Sequence, residues 1–249
     1  MTSYVHPPYC RIGNKWQILK YIIPLIPEHK IYVELFTGSG AVFFNKNKVD
    51  VNVLNDLDPD IIDRLKMLTH ASVNPKDYPD DLDTLPRIKH FYNHHSNSVE
   101  DRIIFEKIKA CNGFSGTYAN KSDAVYRIHD PSKIVNMMPY YQKMLKGVRF
   151  YKEDYKKALK MYDSKDTFFY IDPPYEDTLK NMYKDYKFDY QELADQLKTI
   201  KDMFMISVND SPVIRRIFKG YEMKKISLKS FIRNNTKREE LLIMNYKLE

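Results

Sequence analysis

Two short apolar runs decide what class of fold this chain can adopt. Ile31-Tyr32-Val33-Glu34-Leu35-Phe36 reads as a buried strand, and Val51-Asn52-Val53-Leu54-Asn55 as a second. Between them stand the turn Thr37-Gly38-Ser39-Gly40 and Ala41-Val42-Phe43-Phe44, the apolar start of a helix. Strand, glycine turn and helix form a nucleotide-binding opening, because glycine lets backbone approach a ligand closely. Phe43 stands where a third glycine would complete the dinucleotide fingerprint, and a lone Gly-x-Gly is weak on its own. Asp56 follows the second strand about 20 positions after the turn, where an acid suits a ribose diol. The ordered series is far more specific than either half and predicts an α/β fold.

A second stretch carries the chemistry. Thr167-Phe168-Phe169-Tyr170-Ile171 reads as a buried parallel strand, followed by Asp172-Pro173-Pro174-Tyr175. A carboxylate at the carboxyl end of such a strand faces the crevice where open α/β sheets bind ligands. The prolines stiffen the exit, and Pro173 biases Asp172 towards extended geometry. Neither proline has an N–H, so both carbonyls are expected as acceptors beside the Asp172 carboxylate. Tyr175 adds a flat aromatic face. Together these suit a planar base bearing an exocyclic amine; the plainer reading is a strand ending in a proline-rich turn.

The 249 residues allow one large domain, or one domain with an insert. A hydrophobic content of 43% supports a core, and no apolar run has the length of a membrane span. Cys10 and Cys111 show no metal or redox spacing, which fits a reducing intracellular compartment. His90, His94 and His95 cluster without supporting ligands, so no metal is expected. A net charge of +7 suits a polyanionic partner.

Further strands are expected at Val148–Tyr151, Phe204–Val208, Glu222–Leu228 and Glu240–Tyr246. Helices are expected at Trp16–Ile26, Ile61–Leu68 (opened by Asp58 and Pro59), Lys133–Leu145, Lys156–Tyr162, Tyr190–Ile200 and Val213–Phe218. Lys15, at the start of the first helix, is either an exposed surface lysine or a cation held for an anionic ligand. Breaker signals at residues 70–98 and a polar, glycine-bearing stretch from Asn112 to His129 mark an insert between the second and third strands. Leu179–Phe188 is a Lys- and Tyr-rich connection that could form a lid, and Arg233–Arg238 is a basic loop.

Taken together these residues resemble the Dam-type family of adenine-N6 DNA methyltransferases, in the family's motif order and over nearly the whole chain. Gly13-Asn14-Lys15 resembles the N-terminal cofactor motif. Glu34 to Gly40 resembles the motif that cradles the methionine end of S-adenosylmethionine. Asp56 resembles the ribose-binding acid, Asp154-Tyr155 the pair beside the cofactor adenine, and Asp172 to Tyr175 the catalytic motif. The resemblance implies a Rossmann-like methyltransferase sheet formed by residues 1–62 and 148–249. A mainly helical target-recognition domain, 63–147, is inserted in it. It implies catalytic roles for Asp172, Pro173 and Tyr175. It implies cofactor contacts for Lys15, Glu34, Phe36, Gly38, Ser39, Gly40, Asp56, Asp154, Tyr155 and Asp172. It places DNA contacts at Asn112, Tyr118, Asn120, Lys121 and Arg127.

The partner implied is double-stranded DNA, with a cognate restriction endonuclease as companion and the chain itself a monomer or weak dimer. The setting implied is a bacterial cytoplasm or a compartment of viral DNA replication. Arg11 stands where the family often has an aromatic, and Gly116 where the GATC-reading branch has an arginine, which argues against GATC. The same fold acting on RNA, cytosine N4 or a protein amide stays open, as does a non-catalytic nucleic-acid-binding relative.

Overall fold

The computed structural model describes residues 4–8, 13–71, 131–174, 188–229 and 237–248. Cys10, Arg11, Cys111, the three histidines, the Asn112–His129 stretch, Tyr175 and the basic loop's core lie outside them. The described chain divides into two compact units. A sheet unit holds residues 18–37, 47–57, 149–174, 188–229 and 237–248, and a second unit holds 4–8, 13–17, 38–46, 58–71 and 131–148.

The sheet unit contains strands β1 (Ile31–Glu34), β2 (Val51–Asn55), β3 (Arg149–Tyr151), β4 (Thr167–Ile171), β5 (Met203–Asn209), β6 (Glu222–Lys229) and β7 (Lys237–Met244). They form one seven-stranded sheet in the order β3-β2-β1-β4-β5-β7-β6. The first five are parallel, and β7 runs antiparallel to both β5 and β6. Chain order reverses between β1 and β4, so these neighbours flank the topological switch point where open α/β sheets bind ligands at the strands' carboxyl ends. β4 is buried at all five positions, as a central strand covered on both faces must be.

The sheet unit's helices are α1 (Leu19–Ile22), α4 (Tyr155–Tyr162), α5 (Tyr190–Leu197) and α6 (Pro212–Ile217). α2 (Pro59–His70) and α3 (Pro131–Leu145) belong to the second unit. Asp58 caps α2 by accepting from the Asp60 N–H, with Pro59 at the first helical position, as the sequence suggests. Asp189 and Ser211 cap α5 and α6 in the same way. The first helix is broken into 3₁₀ turns on either side of α1, and Pro24, in the second of them, cannot continue an α-helical ladder.

One sheet face is apolar. Val33, Leu35, Val53, Phe169, Ile171, Phe204, Ile206, Val208, Leu241 and Ile243 pack under α4, α5 and α6 through Leu159, Leu193, Leu197, Ile214 and Phe218. The register puts Glu34 beside Tyr170, Tyr170 beside Met205 and Asn209 beside Glu240, all on the other face. Glu34, Tyr170, Ser207 and Glu240 on that face are each at most 2% exposed.

In the second unit the expected helix at Ala41–Phe44 is instead a single 3₁₀ turn, Phe43–Asn45. Asn45 explains the arrest. Its side chain receives the Val5 N–H at 2.6 Å and donates to the carbonyls of Val5 and Ala41 at 2.8 Å, tying the turn to the N-terminal segment 4–8. Tyr141 from α3 donates to the His6 carbonyl at 2.8 Å, and Gln142 donates to Ala71 past the end of α2 at 2.6 Å.

Candidate active site

Asp172 emerges from β4 half-buried, with a specific partner. The Ser207 hydroxyl of β5 donates to Asp172 Oδ1 at 3.3 Å, and the Tyr170 and Ser207 hydroxyls are 2.8 Å apart. The Tyr170 hydroxyl is held protonated well above the usual tyrosine range, first by burial and then by the negative charge of Asp172. On β1 the Tyr32 hydroxyl donates to Glu34 Oε2 at 3.0 Å; burial and then the Glu34 charge raise this tyrosine too.

The two prolines do not act alike. Both carbonyls were expected as acceptors for a ligand, but the Pro174 carbonyl is engaged by the Tyr190 hydroxyl of α5 at 3.0 Å. Among the described residues no hydrogen bond falls on the Pro173 carbonyl. The loop is therefore anchored at its second proline, while Pro173 itself is buried. Tyr190 belongs to an aromatic group in which Phe188 stands 5.1 Å from Tyr190, 5.5 Å from Phe36 and 5.7 Å from Tyr155, centroid to centroid. Phe36 and Tyr155, at 5.4 Å, thus meet in one aromatic cluster, with Tyr155 buried in the core.

The ends of β1, β2 and β3 are stitched together by a residue that sequence reading passed over. Asn55 is fully buried; its amide donates to the carbonyls of Leu35 and Glu153 at 3.0 and 2.9 Å and accepts from the Glu153 N–H at 3.0 Å. Thr37 donates from its hydroxyl to the Asn55 carbonyl at 2.9 Å. The next residue of each loop is an acid assigned to the cofactor. Asp56 is half-buried, and its N–H reaches the Tyr151 carbonyl at 3.3 Å. Asp154 is exposed and uses one carboxylate oxygen to cap α4 through the Lys156 N–H at 2.8 Å. A polar residue ending an apolar strand was the only signal for Asn55, and Ser207 gave a similar one inside Phe204–Val208.

The seven-stranded sheet has the Rossmann-like methyltransferase fold class expected from the sequence. The sequence profile of the D12 class N6 adenine-specific DNA methyltransferases matches residues 12–232. The chain belongs to that family. It is a methyltransferase, and both the glycine turn and the Asp172 loop fall inside the matched span.

No curated protein matches it in sequence. Among solved structures it is similar to yhhF from Escherichia coli, provisionally named a methyltransferase, at 9% identity and TM-score 0.41 over 98% of this chain and 92% of that one. It is also similar to a conserved hypothetical protein of Streptococcus pyogenes, at 10% identity and TM-score 0.38 over 92% and 94% of the two chains. HI0767 of Haemophilus influenzae, provisionally named a methylase, is similar at 9% identity and TM-score 0.38 over 96% and 92%. These overlaps are loose, and the assignment rests on the sequence profile and the strand order.

The methyltransferase's remaining candidates divide between the units. Gly38 and Gly40, in the second unit, hold φ of +51° and +69°, left-handed backbone in which a side chain is strained, and Ser39 between them is buried. Lys15, in the same unit, is not the exposed surface lysine: it is 3% exposed, and its ammonium donates to the Gly13 carbonyl at 2.9 Å. Asn112, Tyr118, Asn120, Lys121, Arg127 and Tyr175 lie outside the described residues. Among the described residues no cluster of His, Cys, Asp and Glu could hold a metal, and no helix is long and apolar enough to cross a membrane.

Proposed function

We propose that this methyltransferase transfers a methyl group from S-adenosylmethionine to N6 of an adenine turned out of duplex DNA. The observation that carries the reading is the placement of Asp172. Its carboxylate stands at the switch point between β1 and β4, held from the side by Ser207 and followed by a proline loop anchored at Tyr190.

Adenine N6 is a poor nucleophile because its lone pair is delocalised into the ring. In this reading the Asp172 carboxylate accepts one N6 hydrogen and the Pro173 carbonyl the other. The nitrogen then pyramidalises and its lone pair is aimed. Orientation of this kind is the protein's main contribution when the methyl donor is already activated. As the N6–carbon bond forms, the carbon–sulfur bond of the donor breaks and the thioether leaves; the proton of the resulting ammonium passes last, to the Asp172 carboxylate and on to solvent. Tyr175 supplies a stacking face, worth about 1–3 kcal/mol, against the few kcal/mol needed to unstack the base.

The donor set at the ends of β1 to β3 fits the cofactor. Asp56 is a reachable carboxylate for the ribose hydroxyls, on a loop that Asn55 holds in place. Glu34, Phe36 and Asp154 stand on the neighbouring strand ends and loops of the same sheet, and Tyr155 opens α4 beside them. Lys15, Gly38, Ser39 and Gly40, in the second unit, are assigned to the cofactor by resemblance alone. When bound, S-adenosylmethionine supplies an electrophilic methyl on its sulfonium sulfur. Asn112, Tyr118, Asn120, Lys121 and Arg127 are assigned to the DNA, where amides read base edges and cations meet phosphates.

The test uses labelled S-adenosylmethionine with unmethylated duplex DNA, RNA and protein, followed by mapping of the modified base. Label at adenine N6 of DNA is expected. Label confined to RNA, cytosine N4 or protein overturns the assignment.

A further inference from the structure

The hydrogen-bond chain behind Asp172 has a fixed direction. An ionised carboxylate only accepts, so the single Ser207 hydroxyl proton is committed to Asp172 Oδ1. The Tyr170 hydroxyl, 2.8 Å from Ser207 Oγ, must then be the donor in its own link. Burial and the charges of Asp172, Glu34 and Glu240 keep it protonated, so the direction does not reverse at neutral pH. Tyr170 and Ser207 are at most 1% exposed, and each is set by a strand, on β4 and β5. Two rigid strands thus hold one oxygen of a carboxylate that stands on a loop.

We infer that Ser207 and Tyr170 are positioning residues for Asp172, setting the plane of its carboxyl group for the substrate amine. The inference rests on the reading of Asp172 given above. An adjacent apolar strand residue could fill the same volume but could not stop the carboxyl group turning about its last bond. Sites of this kind depend on the supporting groups as much as on the reacting one. The Ser207–Asp172 link is the longer of the two and so the weaker, which bounds the expected effect.

The experiment measures single-turnover methylation of unmethylated bacterial genomic DNA at saturating S-adenosylmethionine, with cofactor affinity measured separately. Ser207→Ala should slow transfer about tenfold, the scale of one net hydrogen bond, and leave cofactor affinity unchanged. Tyr170→Phe should slow it by a few-fold, and should have no further effect once Ser207 is replaced, because it acts only through that hydroxyl. Should Ser207→Ala not fold, Ser207→Cys takes its place, keeping the shape with only a weak S–H donor. Wild-type transfer in the Ser207 variant, a rate loss matched by lost cofactor affinity, or independent multiplying effects of the two changes would each overturn the inference. If Asp172→Ala itself keeps the wild-type rate, the reading of the site fails. If Asp172→Ala is inactive while the Ser207 variant is normal, only the positioning role fails.

Discussion

On one face of the sheet, Val33, Phe169, Ile206 and Ile243 lie under three helices, packed on Leu159, Leu193, Leu197 and Ile214 together with Tyr155, Tyr162 and Tyr190. On the other, the same strands bury Tyr32, Glu34, Tyr170, Ser207 and Glu240. Burying a polar group without a partner costs several kcal/mol, and a charge costs more, so the second face is the expensive one. It is tolerated where hydroxyls meet carboxylates, as Tyr32 meets Glu34 and Ser207 meets Asp172. The apolar face makes the fold stable, and the polar face leads at its carboxyl edge to the candidate reacting group. Natural chains depart from a uniformly apolar core mainly at functional sites; the departures that lead to Asp172 lie on this second side, while Asn55 and Thr167 are buried on the first.

The two faces should fail in different ways. Asp172→Ala should lower single-turnover methyl transfer by roughly 10³-fold, the range for losing a preorganised polar contact, with urea unfolding close to wild type. A transfer rate near wild type would remove Asp172 from the chemistry. Phe169→Ala, on the apolar side of the same strand, should do the reverse. It should lose about 3–5 kcal/mol of unfolding free energy and leave the rate of the folded fraction intact. Denaturant curves and single-turnover rates on both variants separate the two faces.

The central strands and the helix starts were legible along the chain. Continuous apolar runs gave the central strands, and Asp58-Pro59 gave the start of α2 because its cap and its first proline are adjacent in sequence. What was not legible depends on contacts between distant residues. Nothing near Ala41–Phe44 announces that Asn45 will bind Val5 and stop the helix after one turn. Ser207 lies 35 positions after Asp172, and only the strand order brings it alongside. The Pro174 carbonyl looked available until α5 delivered the Tyr190 hydroxyl to it. Composition and local pattern identify strands and caps; they do not say which strand is whose neighbour.

A smaller effect sharpens the comparison at the β2 end. Asp56→Ala should weaken S-adenosylmethionine binding by about 1.5–3 kcal/mol, or roughly 10–100-fold in Kd, as expected for a hydrogen bond to a charged acceptor. Asn55→Ala should also weaken it, through release of the loop that Asn55 pins, and should lose stability besides. Calorimetry that finds both variants binding as wild type would place the cofactor elsewhere.

The smallest effect at neutral pH separates the faces by their response to alkali. Tyr32 and Tyr170 both hold their protons well above the ordinary tyrosine range, chiefly through burial. In the unfolded chain a tyrosine ionises near pH 10. The folded protein therefore keeps protons that the unfolded chain gives up once pH rises past about 10. Stability from these two groups is complete below that pH and falls as pH climbs towards their raised folded values. Each contributes a slope of up to about 1.4 kcal/mol per pH unit over that interval. A Tyr32→Phe, Tyr170→Phe double variant has nothing to ionise at either position. Its urea-unfolding free energy should fall less steeply than wild type between about pH 9.5 and 11, although other buried tyrosines keep some slope in both. Phe169→Leu, a change on the apolar face, should shift the curve down without altering its slope. Parallel curves for wild type and the double variant would mean that the two hydroxyls ionise as readily folded as unfolded, and the polar face would then be wetter than its burial implies.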